Sequence, residues 1–170
     1  MFSGTIRYNL DPFGMYSDDQ VWEALFRSQL KTDIYEKFPD KLNHVIAERG
    51  ENISVGQKQL IGIARALLRN SAIIIMDEAT ASVDSETDSK IQETIRKEFK
   101  NCTVITIAHR LETIADYDLI VVMDHGQVAE FDSPGNLLSS NNSHYIMFKD
   151  MVDELGSERK ENFIKISKKN

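Results

Sequence analysis

Two neighbouring carboxylates, Asp77 and Glu78, close an uncharged apolar run, Ile73-Ile74-Ile75-Met76. A run this short, set between Asn70-Ser71 and Ala79-Thr80, reads as a strand buried on both faces. Ligands of open parallel sheets bind beyond the carboxyl ends of the strands, so both acids stand where chemistry is done. Magnesium prefers hard oxygen ligands, and a carboxylate beside a phosphate can orient and polarise a water for attack. The competing reading is an acid that only caps the next helix. Company weighs against it. Upstream, Ser54-Val55-Gly56-Gln57 has the form of a capping box, with Ser54 at a helix N-cap. Free amides there, the serine hydroxyl and a flexible Gly56 suit an anion such as a phosphate. Downstream, residues 103–108 read as a second buried strand, and His109 follows at its carboxyl end, on the same edge as the two acids. Asp84 stands between them, and either Asp84 or Ser85 also makes sense as an ordinary N-cap. A lone histidine after a strand is commonly just packed.

These side chains need elements to hold them. From Ser54 the apolar positions Leu60, Ile61, Ala64, Leu67 and Leu68 carry a helix to Arg69. Ser17-Asp18-Asp19-Gln20 is another capping box, opening an amphipathic helix from Ser17 to about Ser28 through Val21, Trp22, Leu25 and Phe26, with Trp22 in the core. A short helix closes before Pro39. After Asp84, Ile91, Ile95 and Phe99 form a narrow apolar stripe among charges, a surface helix packed on the sheet. Residues 119–123 and 127–131 flank Asp124-His125-Gly126, a hairpin signal in which His125 is a turn residue. Ser133-Pro134 opens one more helix, and Tyr145, Ile146, Met147, Met151, Val152 and Leu155 suggest a last amphipathic one. From Gly156 charge dominates and the chain is expected to fray.

Composition bounds the class. With 170 residues, 41% hydrophobic and 28% charged, the chain can build a real core. A net charge of -7 supplies no basic face for a phosphate backbone, which argues against nucleic acid as the main partner. The single cysteine, Cys102, can form neither an internal disulfide nor a thiolate metal cluster. No apolar run approaches the length of about 18 residues that a membrane span needs, so any membrane link is expected through other polypeptide.

The ordered set Ile53-Ser54-Val55-Gly56-Gln57, Asp77-Glu78, Ala81-Ser82-Val83-Asp84 and Ala108-His109-Arg110 resembles the signature motif, Walker B strand, D-loop and H-loop of an ABC-transporter ATPase domain. The opening run Asn9-Leu10-Asp11-Pro12-Phe13 resembles the segment after the Q-loop in the second ATPase domain of subfamily C, the multidrug-resistance-associated exporters. Together the likeness covers residues 2–155. It implies an α/β, P-loop NTPase-like fold with a mostly parallel sheet and a helical subdomain. Residues 1–70 would be the helical subdomain with the signature, 71–155 the Walker B, D-loop and H-loop core, and 156–170 a charged tail.

The resemblance also implies roles. Asp77 would hold Mg2+, usually through water; Glu78 would be the general base; His109 would bond the γ-phosphate and steady Glu78. Ser54, Val55, Gly56, Gln57 and Asp84 would contact ATP held by the Walker A of a second nucleotide-binding domain, so the signature and Walker B serve opposite sites of a pair. Ala47-Glu48-Arg49-Gly50 resembles the exporter loop that touches the transmembrane domains, though an ordinary solvated turn explains it too. Two departures stand out. Val55 replaces the usual glycine, which keeps phosphates farther away, and no glycine in the chain is followed by lysine, so Walker A is missing along with the Q-loop. The chain therefore looks N-terminally truncated. One reading is the ATPase portion of an exporter, acting at the cytoplasmic face of a membrane through the full transporter and inactive as this piece. The alternative is a non-catalytic truncated module that pairs with another ABC ATPase domain.

Overall fold

Side-chain caps set where the first helices begin. Ser17 accepts the Gln20 amide at 3.3 Å, and Gln20 Oε1 accepts the Ser17 amide at 2.9 Å, so both members of the capping box are made. The computed structural model describes residues 1–77, 83–108, 110–139 and 146–168. They fall into two units, Met1–Ile107 and Ala108–Asn170.

In the first unit, β1 (Gly4–Thr5) pairs antiparallel with β2 (Val45–Ile46). Helices α1 (Ile6–Leu10), α2 (Asp18–Arg27) and α3 (Lys31–Lys37) lead to α4 (Val55–Arg69), then β3 (Ile73–Asp77), α5 (Ser85–Glu98) and β4 (Thr103–Ile107). Ile6, Val21, Leu25, Ile34, Ile61, Ala64 and Ile91 are buried in one apolar cluster. That cluster also takes in Ile74 of β3. Trp22 packs its ring on Tyr35, 4.8 Å between centroids. Phe26, expected on the buried stripe, is 63% exposed because α2 turns Ala24 inward instead.

Strands β3 and β4 run parallel in register from Ile73 opposite Thr103 to Asp77 opposite Ile107. The crossover between them carries α5, as a parallel pair requires. Both were expected buried on both faces, and here the structure corrects the sequence. Ile74 is buried, but Ile75 is 71% exposed, and Ile73, Ile105 and Ile107 stand open beside it. Helices cover one face only, and no described residue covers the other. Parallel pairing is confined to this pair among the described strands, giving an α/β fold with mixed sheets.

The second unit opens with a 3-10 turn, Leu111–Ile114. Strands β5 (Ile120–Asp124) and β6 (Gln127–Asp132) form the expected hairpin around His125-Gly126. Both turn residues have positive φ, 45° and 77°, the geometry that matches strand twist in a two-residue turn. Ser133 caps α6 (Pro134–Ser139) by accepting the Asn136 amide at 3.3 Å. The buried carboxylate of Glu130 accepts the amides of Met147 and Phe148 at 2.7 and 3.0 Å, neutralising the first turn of α7 (Met147–Asp153). Ile146 and Met151, expected in the apolar stripe, are exposed, whereas Phe148 and Val152 fill the core; Tyr145 lies outside the described residues. The tail expected to fray forms α8 (Ser157–Ser167), because Phe163 is buried against Phe148. Among the described residues, no helix is long and apolar enough to cross a membrane.

Candidate functional site

The tip of α4 is built by reciprocal hydrogen bonds. Ser54 Oγ accepts the Gln57 amide at 3.1 Å, and Gln57 Oε1 accepts the Ser54 amide at 3.0 Å. This satisfies the third helical amide and leaves those of Val55 and Gly56 without an acceptor among the described residues. Ser54 and Val55 are exposed, so the serine hydroxyl and the Val55 amide stand at the surface, and the helix dipole adds partial positive charge. Gln57 is fixed from behind as its Nε2 donates to Asp33 Oδ2 at 3.1 Å. Burial pushes Asp33 up, but Lys37 and Gln57 outweigh it and hold the carboxyl below its ordinary range.

Ahead of the tip, Asn52 clasps the chain. Its Oδ1 accepts the Ala47 amide and its Nδ2 donates to the Val45 carbonyl, both at 2.8 Å. The segment between them is a 3-10 turn, Glu48–Gly50, with Arg49 at φ 55°. The loop singled out in the sequence is therefore an ordered turn.

Gly56 has a structural purpose that the sequence did not disclose. A Cβ built on it would lie 2.4 Å from Thr87 Cγ2 and 3.5 Å from Val83 Cγ1. The residue is buried and its φ is ordinary, so its value is close approach rather than flexibility. It lets the first turns of α4 and α5 touch. Thr87 faces both ways: its methyl meets Gly56, while its amide donates to Asp84 Oδ1 at 3.0 Å. The Thr87 amide and hydroxyl hold the exposed Asp84 carboxyl below its usual range. Asp84 is thus the N-cap of α5, as one reading of the sequence had it. Ser54, Val55, Gly56, Gln57 and Asp84 are brought to one region.

Asp77 ends β3, exposed, with no hydrogen bond or ion pair to the α4 tip among the described residues. Its register partner Ile107 ends β4, so the two strands finish side by side, two residues short of His109 in sequence. Glu78 and His109 themselves lie outside the described residues. Among the described residues no three His, Cys, Asp or Glu side chains converge on a metal. An exposed carboxylate such as that of Asp77 fits Mg2+, which takes one or two protein carboxylates and draws its other ligands from phosphates and water. The residues that sequence reasoning missed are Asp33, Asn52 and Thr87. Each acts across the fold on a motif residue, and only the Asp33–Lys37 spacing gave a local sign.

An α/β domain with an exposed helix tip and adjacent carboxyl-terminal strand ends is the class that this geometry defines. Comparison with known proteins names its family. The family model described as "ABC transporter" matches residues 3–81. The chain is 57% identical over 145 residues to the multidrug resistance protein mrp-7 of Caenorhabditis elegans, covering 85% of this chain and 9% of that protein. It is 55% identical over 150 residues to ATP-binding cassette sub-family C member 3 of Mus musculus, covering 88% of this chain and 10% of that one. A solved structure of a bacterial Atm1-family ABC exporter with ATP bound aligns over 93% of this chain and 27% of its own, with a TM-score of 0.81 and 34% identity. The chain belongs to the ABC transporter family and carries part of its ATP-binding domain, with relatives among the multidrug-resistance proteins of subfamily C. It spans about a tenth of the length of the curated relatives it matches.

Proposed function

We propose that this chain supplies one half of each of two composite ATP sites that drive transport across a membrane. The observation that carries the reading is the contact of the α4 tip with the capped start of α5, which gathers Ser54, Val55, Gly56, Gln57 and Asp84 on one surface. An exposed unpaired amide at Val55, a hydroxyl and a helix dipole suit the γ-phosphate of ATP held by a second nucleotide-binding domain. Asp84 runs at the pairing surface with that domain.

The ends of β3 and β4 serve the opposite site. Asp77 would hold Mg2+, which would supply neutralisation of the phosphate charge there. Glu78 accepts the proton of the attacking water. His109 donates to the γ-phosphate and steadies Glu78. Val55, where glycine is usual, sets the phosphate back from the α4 tip, so the site using this tip binds ATP better than it hydrolyses it. Mg-ATP hydrolysis needs positioning and charge stabilisation more than covalent help, so a chain without the Walker A lysine and its amide cradle is inactive by itself. Transmembrane domains, joined through other polypeptide, hold the assembly at the cytoplasmic face.

The test is turnover. The chain as given is expected to show no ATPase activity above a Glu78→Gln control. The same chain joined behind a segment bearing Gly-x4-Gly-Lys-Ser/Thr is expected to gain Glu78-dependent activity. Glu78-dependent turnover by the chain alone would contradict the proposal. If the joined chain stays inactive yet still binds a partner domain, the non-catalytic pairing module is the better reading.

A further inference from the structure

The first turn of α4 is gripped from two sides. On one, the methyl of Thr87 in α5 fills the place that a side chain on Gly56 would take. On the other, Asp33 of α3 reaches Gln57, and the two oxygens of its carboxylate are divided: Oδ1 accepts Lys37 Nζ at 2.9 Å, and Oδ2 accepts Gln57 Nε2 at 3.1 Å. Lys90 of α5 acts electrostatically on the same carboxylate. Asp33 is itself held, because the next residue, Ile34, is fully buried in the helical core and α3 cannot swing away without exposing it. A glutamine amide has one accepting and one donating end, and the capping box needs the accepting end on the Ser54 amide. An ionised carboxylate only accepts, so Asp33 takes the donating end and leaves Oε1 to Ser54. Turned over, the amide would set Nε2 against the Ser54 N–H and Oε1 against the carboxylate, two repulsive contacts in place of two bonds. The choice is thus imposed by another helix and not by the motif.

We propose that Asp33 is a positioning residue of the α4 tip, acting through Gln57 to keep Ser54 and Val55 in the arrangement that meets a γ-phosphate. The orientation of Gln57 stands on the contacts above; its consequence for nucleotide rests on the proposed function. Asp33 hydrogen-bonds the tip only through Gln57, and its side chain is partly exposed, so its loss is read at the tip more than in global stability. What it supplies is an acceptor, which an asparagine carbonyl can replace and an alanine cannot.

Two measurements test this. NMR of the Gln57 side-chain amide and the Ser54 backbone amide reads the contact in the wild type, Asp33→Ala, Asp33→Asn and Lys37→Met. Asp33→Ala is expected to move both signals toward those of solvated, unbonded groups, with changes confined to the α4 tip, α3 and the first turn of α5. Asp33→Asn, whose carbonyl still accepts, and Lys37→Met, which leaves Oδ2 in place, are expected to keep the wild-type pattern at Gln57 and Ser54. Sedimentation velocity with Mg-ATP and a Walker A-bearing, hydrolysis-deficient ABC ATPase domain reads the consequence. Asp33→Ala is expected to weaken association by about threefold to tenfold, the range that one hydrogen bond contributes, and Asp33→Asn to stay within about twofold of wild type. Unchanged Gln57 and Ser54 signals in Asp33→Ala, or changes spread over the whole first unit, overturn the positioning role. So does a shift at Gln57 with unaltered association, and so do equal losses in Asp33→Ala and Asp33→Asn, which would assign the effect to charge. A wild-type chain that ignores Mg-ATP overturns the ATP reading of the tip, while the Gln57 signals still judge the contact.

Discussion

Within the first unit, the α2–α4 region and the β3–β4 pair are built to different degrees of completion. In this region α2 and α4 are capped by side chains, and Leu25, Ile34, Ile61 and Ala64 are excluded from water. Along β3 and β4 one face is packed, and the other offers Ile73, Ile75, Ile105 and Ile107 to solvent. Stability therefore concentrates in the helices. Asp77, proposed to hold the metal, sits at the end of the pair that is closed on one side only. The site proposed to form with a second domain fits this arrangement: the α4 tip stands on a packed helical core, and the open strand face carries surface that other polypeptide can cover.

The largest effect expected is a contrast between core and open face. Ile61→Ala, at 2% exposure, should cost about 2–5 kcal/mol by denaturant titration. Ile75→Ser, at 71%, should stay within about 0.5 kcal/mol and reduce self-association. Equal costs at the two positions would mean that both faces are covered and would break the comparison.

Gly56→Ala comes next, at about 1–3 kcal/mol, since its methyl would strike Thr87 Cγ2. Thr87→Ser removes that methyl and should recover much of the loss in a double-mutant cycle; additive costs would show that the two turns do not touch. Ser54→Ala, which removes only a cap, should cost about 1 kcal/mol.

The smallest effect is pH-dependent. Burial pushes Asp11 up, but the Tyr16 and Met15 amides, with the Arg7 guanidinium, outweigh it and hold the carboxyl below the usual Asp value of about 3.9. A folded pKa below the unfolded one gives stability that is fully present above the unfolded value and lost as pH falls through the folded one. Asp11→Asn should therefore flatten the acid limb of a stability-versus-pH curve measured by thermal melts, leaving its slope near neutrality unchanged.

Local chemistry was legible in the sequence. Ser17 with Gln20 and Ser54 with Gln57 announced their capping boxes, and Asp124-His125-Gly126 its hairpin, because each is settled within a few residues. The Ile91, Ile95 and Phe99 stripe was legible for the same reason. What failed depended on distant partners. An Ile-rich run fits a strand packed on both faces, and nothing in the run tells whether a second layer is present. Phe26 lay near enough to the apolar stripe for periodicity to include it, and packing chose Ala24. The charges around Phe163 hid a buried helix. Gly56 matched a phosphate-binding glycine by motif, while its contact with Thr87 needed the fold. Ser54–Gln57 and Asp84 could be read as candidates from the resemblance of their motifs, but their meeting in one region needed the fold.

The proposed function needs the α4 tip to close over ATP presented by another domain. Sedimentation velocity of this chain mixed with a Walker A-bearing, hydrolysis-deficient ABC ATPase domain tests it most directly. A complex is expected with Mg-ATP and not without it, and Ser54→Glu, which puts a carboxylate against the incoming phosphate, should abolish it. Association that forms equally without nucleotide, or that survives Ser54→Glu, would contradict the account.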